Sequence, residues 1–376
     1  MSGTQDSGAE PQRILADHTF QQPNHLLRSN DLKERLQYAR DVESCIRKHG
    51  NCTEDFRLRA EHVARIMVAP LPAFKWNQVL SIEDQDACLM KRSLERIGPL
   101  CKHYLQHSCN RTDIDFLGDP WRRISNSNKQ YTPLPTPNKN EAAKCLERDV
   151  TCIVTGEPRP SICRILPLSW NDYGNHAKIV DSLGYGLTYY FQNSFLREIY
   201  GLPSETGFPS ADNVWNMLCL HPDLFKLWAK GYFAFKYLGT DELPDGTARV
   251  TLQFQWMPKM QLRFGQEVNL HHSGSENDWD AIVKEVDEFC TSIDHRPNLR
   301  MKIGSYPVSG SLSHMRMSRR KALCFRDVIQ VQWVCILVAA LCGAVGRPEL
   351  MLKKDPDDYV VHWLKSQTRW EKAQGH

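Results

Sequence analysis

The sequence predicts an α+β fold, on three observations. Apolar residues recur at helical spacing through residues 31–105. Apolar and polar residues alternate strictly from Ala248 to Trp256, just after a Pro244-Asp-Gly246 turn, as expected of a hairpin. Near the end of the chain, Val328–Val345 carries no formal charge and suits a buried helix.

The elements follow in order. Residues 1–28 show no hydrophobic periodicity and are expected to be disordered. Asn30 or Asp31 caps a first helix running to Gly50, with Leu32, Leu36, Ala39, Val42 and Ile46 on one stripe. A second helix is expected from Thr53, carrying Phe56, Ala60, Val63 and Met67, and stopping before Pro70. Ser81-Ile-Glu-Asp84 resembles a capping box and should open a third helix, with Leu89, Leu94 and Ile97 before Pro99. Leu100–Leu105 adds a further turn or two. Residues 29–117 thus form a helical module, in which His62 and His103 read as surface or core side chains rather than ligands.

Residues 118–142 are rich in Pro, Asn and Ser and read as a linker. A domain over 143–346 and a tail over 347–376 complete the division. Within that domain Thr151–Thr155 and Ile162–Leu166 suit two short strands, joined as a hairpin at Gly156-Glu-Pro158. Helical sequence around Val180–Tyr200 follows. Asp212-Asn213 or Pro222-Asp223 then starts a helix that Gly231 stops. Next comes the hairpin of Tyr232–Leu238 with Ala248–Trp256, whose alternation implies one buried and one wet face. Residues 270–320 offer only an amphipathic helix near Trp279–Cys290, and Asp358–Gln374 suits an exposed helix.

Composition narrows the class. At 376 residues, with 41% hydrophobic and 24% charged side chains, the chain has ample material for a core. A net charge of +3 gives no nucleic-acid footprint by itself. Thirteen cysteines, odd in number, scattered from Cys45 to Cys342 and without a C-x-x-C pair, argue against a disulfide framework. Met1–Gln22 is polar and has no apolar signal region. Reduced thiols and a cytoplasmic or nuclear location are therefore expected. Val328–Val345 is near the lower length limit for a bilayer span and contains Gln330 and Gln332, so a buried helix is expected and no membrane partner.

Five segments, in this order, carry a family resemblance: Cys152-Ile-Val-Thr-Gly156, Ser161-Ile-Cys-Arg-Ile-Leu-Pro-Leu-Ser169, Asn213–Phe225, Tyr232-Phe-Ala-Phe-Lys236 and Val250–Trp256. Over about Ala142–Val345 the chain resembles the HNH endonuclease domain of a large fungal group of proteins. Val331-Gln-Trp333 and Gly343-Ala-Val345 match that group's Gln-Trp helix. The resemblance implies a strand-strand-helix core with a β-hairpin extension, an N-terminal helical module and a long apolar C-terminal helix.

In such a nuclease a neutral histidine takes a proton from the attacking water, and a second histidine holds a divalent cation that neutralises the phosphate. An asparagine between them orients the base. Carried over, the base position is Arg164, which is always protonated, and the helix ligand is Phe225, which has no lone pair. Asn216 alone remains. Cys163 stands where these nucleases often keep a metal-binding residue, and a thiolate suits zinc better than magnesium. His221, one turn before Phe225, and His176, with Asp172, are the residues that would have to supply displaced ligands.

The resemblance with these losses implies a catalytically inactive nuclease-like scaffold that binds nucleic acid or protein and holds no cofactor. Two alternatives stand beside it. One is an endonuclease using Mg, Mn or Zn on displaced ligands; the other is a fold recruited to fungal specialised metabolism. The basic run Arg316, Arg319, Arg320 and Lys321 reads either as a nuclear address or phosphate contact, or as a solvated loop.

Overall fold

The computed structural model describes residues 20–27, 29–49, 55–74, 81–82, 86–107, 138–167, 212–271, 277–292, 303–304 and 306–347. The expected first helix is α1, Leu32–Lys48, and its stripe faces inward: Ala39, Val42 and Ile46 are buried, and Leu32 and Leu36 pack against the core. Arg35 is buried in the same face. Its Nη1 donates to the carbonyls of Ile66 and Ala69, both at 2.7 Å, while Nη2 meets Asp31 at 2.9 Å. One guanidinium thus satisfies carbonyls at the end of α2, Ala60–Val68, which the helix itself leaves unpaired.

The second helix starts seven residues later than the sequence suggests. Leu58 donates its N–H to the buried carboxylate of Glu43 at 2.9 Å, and Val268 donates to the Leu58 carbonyl at 2.9 Å. Those bonds hold 56–59 extended, so Phe56 lies outside the helix. α3, Ala87–Glu95, is capped by Asp86, whose carboxylate accepts from Cys88 N–H at 2.9 Å, rather than by Ser81. α4, Ile97–His107, carries Pro99 in its first turn, where a missing N–H costs nothing. α5, Lys139–Asp149, is capped by Asn138 and begins inside the stretch read as linker; residues 118–137 lie outside the described residues.

The expected strand over Thr151–Thr155 is not formed. These residues make a tight turn, closed by Gly156 N–H to Cys152 C=O and by Cys152 N–H to Glu157 C=O, both 2.9 Å. Instead β1, Ser161–Arg164, pairs antiparallel with β2, Met217–Leu220, in the register Ser161↔Leu220 to Arg164↔Met217. α6, Pro222–Ala229, follows β2 directly and ends before Gly231, which takes φ +72°.

The second hairpin is as the alternation predicts: β3, Phe233–Glu242, with β4, Thr247–Trp256, turning through Gly246 at φ +78°. Its wet face differs. Gln253 and Gln255 are 1% and 4% exposed, because residues 20–27 lie over them. Gln253 Nε2 donates to the Gln21 carbonyl at 2.9 Å, and Leu26 and Leu27 are buried, so this part of the segment expected to be disordered is packed. After α7, Asp278–Thr291, comes β5, Leu312–Ser318, which pairs along β4 from Thr247↔Ser318 to Gln253↔Leu312. The sequence reading missed that strand; its Leu312, Met315 and Met317 are interspersed with His314, Arg316 and Ser318, too polar a run to stand out.

α8, Arg319–Leu341, contains most of the uncharged stretch and is the centre of the core. It packs on β3 and β4 and equally on α2 and α4. By length and composition it could cross a membrane, yet 72% of its apolar window is buried inside the fold. Gln332, wholly buried, accepts the N–H of Phe235 at 2.9 Å on the free edge of β3. The helix ends on Gly343 at φ +74°, where a Cβ would lie 2.0 Å from the Gln261 carbonyl oxygen, so only glycine fits.

Candidate functional site

The positions that resemblance assigns to chemistry lie on β1, β2 and the flanks of that pair. Arg164 closes β1. Its Nε donates to Asp212 Oδ1 at 2.9 Å and its Nη2 lies 2.8 Å from the same oxygen. Asp212 is 4% exposed and also takes the N–H of Asn138, the cap of α5. Arg164 thus ties the strand to the start of α5, and the position that the resemblance assigns to the base holds a permanent cation.

Asn216 precedes β2 in a short 3-10 turn, Val214–Asn216. It is fully buried. Its Oδ1 accepts the N–H of Leu166 at 2.8 Å, its Nδ2 donates to the Leu166 carbonyl at 3.0 Å, and its own carbonyl accepts from Ile165 at 2.9 Å. The side chain therefore clamps the backbone on both sides of Leu166, just beyond β1, in a fully buried place.

Cys163 pairs across the sheet with Leu218 and is wholly buried. Burial pushes its thiol well above the usual range, so it stays protonated, and Sγ turns back to the Ser161 carbonyl at 3.4 Å. His221 is at the opposite end of the pair, beyond the Ser161↔Leu220 position. Its Nδ1 accepts the N–H of Asp223 at 3.2 Å, capping α6, and its Nε2 meets Glu157 at 3.4 Å. Phe225, one turn on, packs its ring against the core. His176, Asp172 and the helical sequence around Val180–Tyr200 lie outside the described residues.

Arg164 and Asn216 therefore come together at one end of the β1–β2 pair, while Cys163 and His221 do not converge with them. Two clusters of potential ligands occur among the described residues: His49, Asp86 and Cys88, and Cys145, Asp149 and Cys219. Neither includes a residue singled out from the sequence. In the first, Asp86 is already the cap of α3. In the second, the two sulfurs are 3.7 Å apart, but the Asp149 carboxylate is taken by Arg148, at 2.5 and 2.8 Å, and by Cys219 N–H at 2.9 Å. The Arg148 guanidinium also reaches Cys145 Sγ at 3.5 Å. A fixed positive charge at that distance repels a metal ion, and the group reads as a satisfied polar knot binding α5 to β2. Sequence inspection passed it over because the cysteines are distant in the chain; the Cys145-to-Asp149 spacing of one helical turn was the available signal.

Among the described residues, the positions that the resemblance assigns do not fit a divalent cation: one cation, one hydrocarbon ring, one buried thiol and one histidine engaged as a cap. Comparison with protein-family models, with curated proteins and with solved structures gives no match for this chain.

Proposed function

We propose that this protein is a catalytically inactive HNH nuclease-like scaffold, which binds a nucleic acid or a protein partner rather than cutting. The observation that carries this reading is the Arg164–Asp212 pair. A side chain that should shuttle a proton is a fixed cation, and its carboxylate partner is buried and already hydrogen-bonded to α5. Asn216 supports it, since its amide is spent on the Leu166 peptide. The order β1, β2, α6 supports descent of the frame from a strand-strand-helix nuclease, as does α6 packing back on β1. The burial of α8 favours a cytoplasmic or nuclear protein without a membrane span. A displaced-ligand endonuclease gains nothing from His221, which the α6 cap and Glu157 already occupy.

Plasmid nicking tests the reading. Purified full-length protein with magnesium, manganese or zinc should leave supercoiled DNA at the background rate. Metal-dependent nicking that rises with enzyme concentration and survives repurification would overturn it.

A further inference from the structure

Three side chains with metal-ligating atoms meet in the N-terminal helical module: His49, Asp86 and Cys88. One ligand atom from each lies within 4.8 Å of the other two. They come from two separate stretches of chain. His49 ends α1 as its C-cap, Asp86 is the N-cap of α3, and Cys88 follows in the first turn of α3.

Capping does not exhaust Asp86. Its Oδ1 accepts the Cys88 N–H at 2.9 Å, whereas a carboxylate offers about four lone-pair sites on its two oxygens. His49 Nε2 stands 3.5 Å from that same Oδ1, longer than a normal hydrogen bond. Nitrogen and oxygen ligands held at about 2.0–2.1 Å on a tetrahedral zinc ion are themselves about 3.3–3.4 Å apart. The imidazole and the carboxylate therefore already stand at the separation of two ligands sharing one ion. Cys88 completes the set by a modest turn of its side chain toward them. His49 and Asp86 are 42% and 51% exposed and Cys88 is half-buried, so an ion reaches all three from solution. The donor types narrow the choice of ion. Magnesium and calcium take oxygen ligands, while one imidazole, one thiolate and one carboxylate suit zinc.

We propose that His49, Asp86 and Cys88 bind a zinc ion that fastens the end of α1 to the start of α3, with water as the fourth ligand. Binding releases the Cys88 thiol proton to solvent and uses the neutral form of His49. This assignment is independent of the nuclease-like reading, since all three residues precede the stretch that carries the resemblance.

Titration of the chelator-stripped full chain with cobalt(II), a coloured stand-in for zinc, tests it in a buffer with a phosphine reductant. A thiolate-to-cobalt charge-transfer band should grow and saturate, zinc should abolish it, and excess magnesium should not. Because the chain holds thirteen cysteines and fourteen histidines, the variants carry the assignment. Cys88→Ser should remove the band, and Cys290→Ser, at another half-buried thiol, should leave it unchanged. His49→Gln and Asp86→Asn should each weaken cobalt about tenfold or more, since even changes behind the ligands of a metal site cost about 10–100-fold. Asparagine keeps the cap of α3, so Asp86→Asn separates metal binding from helix capping. The assignment fails if no saturable band appears or if magnesium displaces cobalt as well as zinc does. A band that survives Cys88→Ser marks a thiol elsewhere and also overturns it, as does wild-type affinity in both His49→Gln and Asp86→Asn.

Discussion

In Asn216→Ala the backbone N–H and C=O of Leu166 lose both of their side-chain partners at once. The wild-type amide donates to the Leu166 carbonyl at 3.0 Å and accepts from the Leu166 N–H at 2.8 Å, and Leu166 is itself 1% exposed. Alanine supplies neither contact. Each buried polar group left unsatisfied costs about 1–3 kcal/mol, so leaving two should destabilise the fold by about 2–6 kcal/mol. Against a typical total of about 5–15 kcal/mol, that is a large fraction. Urea denaturation followed by tryptophan fluorescence reads it directly: the midpoint falls while the slope m stays constant. Asn216→Asp should cost at least as much as the alanine variant, because it sets a wholly buried carboxylate against the Leu166 carbonyl oxygen. A loss below about 1 kcal/mol in the alanine variant would show that the clamp carries no weight and that Asn216 is retained for another reason.

The remaining expectations concern pH and the core helix. His62 is buried in α2; burial first, then the neighbouring Arg59, Arg65 and Lys91 charges, push its pKa down to about 3. A histidine held neutral in the fold but free to charge when unfolded lowers stability as pH falls from its ordinary value of 6.5 toward 3, and has no effect above that window. Burial pushes the Glu61 and Glu95 carboxyls up and so acts with the opposite sign; the contrast with His62→Gln isolates the histidine. Urea midpoints at pH 7 and pH 4.5 should converge in the variant, and an identical pH slope in both proteins would refute this. Ala339→Lys places an ammonium at a site 1% exposed in α8 and should cost several kcal/mol, enough to drive the protein into aggregates. The wild type, expressed in yeast, should remain in the supernatant after carbonate extraction; recovery only in detergent would count against a buried α8.

What the sequence revealed follows from which interactions are local. The stripe of α1 and the alternation of β4 are set by residues a few positions apart, and both were readable. The partner of β1 was not: Cys152–Thr155 is as apolar as a strand, but it closes a turn and gives only the Ile153 N–H to β2, while β1 pairs with Met217–Leu220, more than fifty positions later. Gln253 and Gln255 misled for a similar reason, since what covers them is the chain at Gln21–Leu27. At the site, an arginine at 164 and a phenylalanine at 225 were visible as residue types. That Arg164 would be held by Asp212 depended on a contact that no spacing encodes, whereas the cap made by His221 is local, with Pro222 at the first helical position as its signal.

The position of α8 also governs how the chain can assemble during synthesis. α2 closes at Val68, yet the helix that covers it opens only at Arg319. At ribosomal rates of about 5–20 residues per second, the N-terminal helices emerge and wait on the order of ten to fifty seconds for their cover. Throughout that interval α2, which also packs on α1, α3 and α4, lacks the cover that α8 gives it. Early helices and late helix thus complete one another only once Arg319–Leu341 has been made, a high-contact-order closure that delays the cooperative step. A nascent chain stalled before residue 319 should be degraded by low protease concentrations over its whole length, and one released after residue 347 should be resistant. A protease-resistant N-terminal fragment from the stalled chain would show that the helices can close without α8.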